Sequence, residues 1–155
     1  MKKFLCFITI FALLFTVGCE KVTEKGDYKE GTYFASVTSG ENTVTAVAYV
    51  DESGVLKSLF IDTTYPKNDV LSTKKALGDA YAMKGRSAEI GVIEGGAEWD
   101  EQLNTLEKKI LEEQNLDWLK WTDETKTKTD SIAGVTVTID KYYAVVDDIL
   151  KQAKK

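Results

Sequence analysis

The chain has 155 residues, 20 of them basic and 25 acidic, for a formal charge of −5, with no histidine and with cysteine only at Cys6 and Cys19. Zinc, copper, haem and iron–sulfur centres draw on histidine and cysteine, so no metal site is expected, and Ser-His and Cys-His nucleophilic chemistry is excluded as well. An acidic chain without a basic stripe is also a poor partner for nucleic acid or anionic lipid headgroups.

The N-terminus comes first. Lys2 and Lys3 precede an almost unbroken run of Phe, Leu, Ile and Val over residues 4–17. At about 14 residues the run falls short of the roughly 20 needed to cross a hydrocarbon core, and it has the length of the apolar part of a signal peptide. It ends in Thr16-Val17-Gly18-Cys19, which resembles the lipobox of bacterial lipoproteins, with Thr16 where Leu is more usual. The resemblance implies cleavage before Cys19 and lipidation of that residue. An ordinary secretory signal that happens to contain a cysteine is the plainer alternative. The resulting division is a signal peptide at 1–18, a lipidated tether at 19–29 and a domain at 30–155. Several acyl chains on one cysteine hold a protein firmly to a bilayer, whereas one chain holds it weakly. The tether, about ten residues, reaches roughly 30–35 Å when extended. The expected location is therefore the extracytoplasmic face of a cell membrane. Removing the signal takes away Lys2 and Lys3 and no acid, so the mature chain is more acidic still. It also has no disulfide, leaving its stability to packing.

Residues 31–39, 43–50 and 55–64 read as three strands, rich in β-branched and aromatic side chains with alternating polarity. Asp51-Glu52-Ser53-Gly54 makes a turn between the second and third, and Tyr65-Pro66 closes the β section. Residues 69–81 suggest a short helix weakened by Gly78, and Gly85, Gly91, Gly95 and Gly96 mark an irregular connection. Residues 98–114 give the clearest helix, with Trp99, Leu103, Leu106 and Ile110 on one apolar stripe and Asp100 and Glu101 near its start. Trp99 reads as core, and Glu107, Glu112 and Glu113 as the wet face. A polar link at 122–129 follows, in which Lys126 and Lys128 read as solvated. A last helix starts near Ile139, with Thr138 as its N-cap and Tyr143, Val146 and Leu150 along one side. The fold class is α+β: a twisted, mainly antiparallel sheet with helices packed against it.

Between the link and the last helix lies Asp130-Ser131-Ile132-Ala133-Gly134-Val135-Thr136. It resembles the flavin-attachment motif of the FMN-binding domain family: Asp, two variable positions, Ser, Thr or Ala, then Gly, Ala and an acceptor Thr. Asp130, Ala133, Gly134 and Thr136 match, and Val135 replaces the usual Ala. Such domains occur in a subunit of sodium-pumping quinone reductases, in related electron-transport complexes and in exported lipoproteins. The stretch at 72–84, with Trp99 later, looks like the middle of the lipoprotein members.

The resemblance implies that a dedicated flavin transferase moves FMN from FAD onto the Thr136 hydroxyl as a phosphoester. Asp130, Ser131, Gly134 and Thr136 are then the cofactor-binding residues, with no catalytic residue and no metal ligand. A threonine hydroxyl is a poor nucleophile, so an external enzyme must drive the attachment. Gly134 would let a phosphate approach the backbone, Asp130 would shape the turn and serve recognition, and the following helix N-terminus favours an anion. Tyr81 and Met83 are candidates for lining the ring. The implied role is an electron carrier between a membrane electron donor and an external acceptor, rather than an enzyme with its own substrate. The same residues also read as a plain turn leading into a β-strand, which leaves a cofactor-free surface lipoprotein, a protein-binding module or antigen, as the rival.

Overall fold

The computed structural model describes residues 26–67 and 70–155, so the signal peptide, Cys19 and most of the tether lie outside the described residues, as do positions 68 and 69. Among the described residues, strands β1 (Gly31–Ser39), β2 (Asn42–Val50) and β3 (Leu56–Thr63) form an antiparallel sheet in the order β1-β2-β3. The expected α+β class holds. Alternation decides which face is buried: Val44, Ala46, Ala48 and Val50 of β2 point into the core, while Val47 and Tyr49 face outward. Asp51 fixes the β2–β3 turn by accepting from the amides of Ser53 (3.1 Å) and Val55 (3.0 Å) and from the Ser53 hydroxyl (2.6 Å). Gly54 is required there twice over. Its φ is +84°, and a Cβ would sit 2.6 Å from the Tyr28 carbonyl oxygen.

Helices follow the sheet: α1 (Lys74–Leu77), a 3₁₀ turn (Gly78–Tyr81), α2 (Lys84–Ile90), α3 (Trp99–Glu113) and α4 (Asp140–Ala153). The inner sheet face is covered by α4 on β1 and β2 and by α3 along β3. The stripe Trp99, Leu103, Leu106 and Ile110 is buried as its spacing predicts, and Trp99 is core. Helix α2 was expected as irregular connection because of Gly85. The Glu98 carboxylate accepts from the amides of Met83 (2.8 Å) and Lys84 (3.1 Å) at its start, and this offsets the poor intrinsic propensity.

Two further expectations change. Glu107 does not lie on a wet face. It is buried, and its Oε1 accepts from the Ile61 amide (2.6 Å) and the Lys75 ammonium (2.6 Å). The outer edge of β3 has no strand partner among the described residues, so its N–H groups need side-chain acceptors. Gln114 does the same work further along, accepting from the Leu56 amide (2.7 Å) and donating to the Leu56 carbonyl (3.0 Å). In α4 the buried line is Tyr142, Val145, Val146, Ile149 and Ala153, one position round from the expected Tyr143, Val146, Leu150. Tyr142 is drawn inward because its hydroxyl accepts from the Trp99 indole N–H (3.2 Å), while Tyr143 packs at the flank against Trp121 (5.2 Å between ring centroids).

Candidate functional site: the Thr136 loop

Residues 122–139 form an ordered loop without a strand, so the turn-and-strand reading of this segment does not hold. Its first half is organised by Asp123, whose carboxylate accepts from the amides of Thr127 (3.0 Å) and Lys128 (2.8 Å) and from the hydroxyls of Thr127 (2.7 Å) and Thr125. The Thr125 and Thr127 hydroxyls hold that carboxyl well below the usual range. Lys126 and Lys128 are exposed, as expected of solvated cations.

The motif itself is divided by burial. Asp130, Ala133 and Gly134 are exposed, Val135 is buried in the core, and Thr136 is partly buried. Val135 therefore sends its extra methyl bulk inward. Gly134 has φ +81°, and a Cβ built there would meet nothing within 4 Å. Glycine is needed at 134 for its left-handed backbone rather than to relieve crowding in the folded chain, and the space beside it is open.

Thr136 is held by a residue that the sequence reading did not single out. Gln102 lies in the first turn of α3 and is fully buried. Its Oε1 accepts from the Thr136 amide (2.8 Å), the Thr136 hydroxyl (3.2 Å) and the Val137 amide (3.3 Å), and its Nε2 donates to the Ala97 carbonyl (3.4 Å). The signal was present: position 102 is three after Trp99 and four before Leu106, so a polar residue there falls on the buried stripe and must find a partner. By donating its proton to an amide oxygen, the Thr136 hydroxyl keeps its lone pairs free for another atom. An amide oxygen is not a base, so nothing in this contact activates the hydroxyl.

No family model, curated protein or solved structure matches this chain. The site is therefore argued from its own geometry.

The remaining predicted residues take structural roles or none. Ser131 Oγ accepts from the Lys120 amide (2.9 Å), and the Ser131 amide donates to Thr129 Oγ1 (3.1 Å), so this pair pins the turn. The Asp130 carboxylate has no hydrogen-bond partner among the described residues, and turn-shaping falls to Ser131 and Thr129 instead. Thr138 does not cap α4. The N-cap is Ile139, and the helix starts at Asp140 without a side-chain acceptor for its first N–H groups. Tyr81 packs edge-on against Tyr65 (5.0 Å between centroids), and the Lys74 ammonium lies 5.0 Å from the Tyr81 ring and 5.2 Å from that of Trp99.

Thr136 does not line either of the two cavities that flank α3 and α4. A cavity of about 670 Å³, lined by Tyr28, Gln114, Tyr143 and Asp147, lies at the far ends of α3 and α4. At the near end a smaller cleft of about 160 Å³ lies between the β1–β2 turn, the end of β3 and the start of α4, with Thr138 on its wall. The Thr136 loop offers a tethered phosphate a partly buried hydroxyl held in one orientation by Gln102 and open space at the exposed Gly134 two residues before it.

Proposed function

We propose that this chain is a lipid-anchored, extracytoplasmic flavoprotein that carries FMN as a phosphoester on Thr136 and passes electrons from a membrane donor to an external acceptor. The observation that carries this reading is the Thr136 hydroxyl, held by a buried glutamine and presented beside an open left-handed glycine in a segment that resembles the family's attachment motif. In the attachment, Thr136 Oγ bonds to the flavin-side phosphorus of FAD, the pyrophosphate P–O bond breaks, AMP leaves, and the hydroxyl proton passes to the medium. The flavin supplies redox chemistry when bound, and the chain's residues hold and tune it. Loss of the Thr136 proton ends its donation to Gln102, while the Thr136 and Val137 amides keep their acceptor. Covalent attachment suits an exposed location, where a free cofactor would diffuse away. Intact mass after co-expression with a flavin transferase tests the reading: the protein gains one FMN minus water, and Thr136→Ala does not.

A second reading is a cofactor-free module that binds a protein partner. One observation favours it. On the outer face of the sheet Phe34, Val47 and Phe60 stand opposite one another in register, 57%, 39% and 50% exposed. An apolar row across a solvent face suits a docking surface. A carrier also needs a surface for its redox partners, so the row separates the two readings only when the flavin is absent.

A further inference from the structure

The fold treats the two edges of its sheet differently. Along β3 the outward N–H groups meet side-chain acceptors: Ile61 on Glu107, Leu56 on Gln114 and Thr63 on Asp62 (2.7 Å). Along β1 no strand lies on the outer side among the described residues. Its pairing with β2 runs without a register shift from Gly31 opposite Val50 to Ser39 opposite Asn42. The two-residue turn at Gly40 and Glu41 makes Ser39 and Asn42 a hydrogen-bonded pair, so alternate residues from Ser39 back to Gly31 bond to β2. Thr32, Phe34, Ser36 and Thr38 therefore aim their N–H and C=O groups away from it, and all four are exposed. Among the described residues these groups meet one partner, the Gln152 Nε2 that donates to the Phe34 carbonyl (3.3 Å).

An open edge pairs with extended chain, and natural proteins guard such edges with charge, proline or a bulge. Strand β1, Gly-Thr-Tyr-Phe-Ala-Ser-Val-Thr-Ser, has none of these. Its neutrality points to the occupant. The chain carries a formal charge of −5, so two copies repel unless they meet through an uncharged surface. Antiparallel pairing has a two-fold axis, which lets a strand meet its own copy. With that axis at Phe34, Thr32 stands opposite Ser36 of the second copy, and no charged side chain falls between Gly31 and Val37. The same axis sets Phe34 against Phe34. The outer-face row Phe60, Val47, Phe34 then runs on into its copy and covers the exposed end of each.

We infer that the β1 edge is a self-association surface: two copies join antiparallel through β1 about a two-fold axis at Phe34, forming one six-stranded sheet. Each Phe34 N–H donates to the Phe34 carbonyl of the other copy, and Thr32 and Ser36 exchange bonds in the same way. The paired stretch is far shorter than the roughly 20–30 residues a side of a standard interface, so the dimer is weak and concentration-dependent. The inference does not depend on the cofactor.

The test uses full-length protein in mild detergent: wild type, Phe34→Lys, the double variant Thr32→Cys with Ser36→Cys, and Thr38→Cys. In sedimentation velocity, wild type should move from monomer toward dimer as concentration rises. Phe34→Lys sets two ammonium groups against each other and should stay monomeric, with an unchanged melting temperature because Phe34 is exposed. Under mild oxidation the double-cysteine variant should form a dimer linked from 32 to 36, since opposed Cα atoms lie about 5.5 Å apart. Within one copy those positions are about 13 Å apart, too far for a disulfide. Two copies of Thr38→Cys would stand about 26 Å apart along the strand and should not link. Peptide mass locates each disulfide and sets aside any through Cys6 or Cys19. A wild type that is monomeric at every concentration overturns the inference, as does a dimer that survives Phe34→Lys. Linking of Thr38→Cys as readily as the pair overturns it too. Should Phe34→Lys fail to fold, the cysteine pair decides alone.

Discussion

Gln102 Oε1 accepts from both the amide and the hydroxyl of Thr136, at 2.8 and 3.2 Å, so a fully buried side chain of α3 sets the position of the proposed attachment residue. Replacing it with leucine leaves the amides of Thr136 and Val137 without their acceptor. Gln102→Leu should therefore destabilise the fold by about 1–3 kcal/mol in urea denaturation. It should also lower the yield of flavinylated protein by intact mass at equal transferase. An unchanged midpoint and yield would show that the loop holds itself.

Gly134→Ala tests the backbone alone. The position is left-handed but uncrowded, so the cost is conformational, about 1–2 kcal/mol, without a steric term. The thermal midpoint should fall by an amount consistent with that cost. Gly54→Ala, where the Cβ would also collide with the Tyr28 carbonyl oxygen, should be clearly worse.

The buried pair Glu107–Lys75 makes a stability prediction of its own. Glu107→Ala strips an acceptor from both the Lys75 ammonium and the Ile61 amide, and should cost about 3 kcal/mol. The double change Glu107→Leu with Lys75→Met should recover most of this, with the Ile61 amide as the remaining loss. Denaturation of Glu107→Leu, Lys75→Met and the double variant would measure the coupling.

Falling and rising pH should act on different residues. Asp51 is held down at about 2, chiefly by the Ser53 hydroxyl, so its contribution is present above the ordinary value of 3.8 and is lost as pH falls toward 2. Burial pushes Glu107 above its ordinary 4.5, so its contribution is present below 4.5 and declines as pH rises through the raised folded value. Asp51→Asn should flatten the acid limb of a stability–pH curve, and Glu107→Gln the limb above pH 4.5. An unaltered slope in either variant would contradict its assignment.

What the sequence revealed divides by the range of the interactions involved. The strands, the β2–β3 turn and the Trp99–Ile110 stripe follow from local alternation and spacing, and they lie within a residue or two of their expected places. Helix α2 was illegible because its support comes from Glu98, fourteen residues beyond Lys84. The register of α4 depends on the Trp99–Tyr142 contact across the core. Around Thr136 the glycine was legible as a place where the backbone can be approached, whereas its left-handed φ of +81° shows only in the fold. Gln102 reaches Thr136 only through tertiary packing, across 34 positions of sequence.

A side chain with no partner offers a clean check on recognition. Asp130 is exposed and takes no part in holding the turn, so Asp130→Asn should leave the melting temperature within error of wild type. If the carboxylate is read by the transferase, the same change lowers the rate of flavin attachment. Equal attachment rates would remove Asp130 from the recognition surface.

The account rests most heavily on the esterification of Thr136, and intact mass spectrometry of the protein isolated from cells expressing a flavin transferase measures it directly. The predicted result is a yellow protein heavier by one FMN minus water, with the added mass on the peptide containing Thr136 and absent from Thr136→Ala. A colourless wild-type protein at its unmodified mass, with the transferase shown to be active, would contradict it.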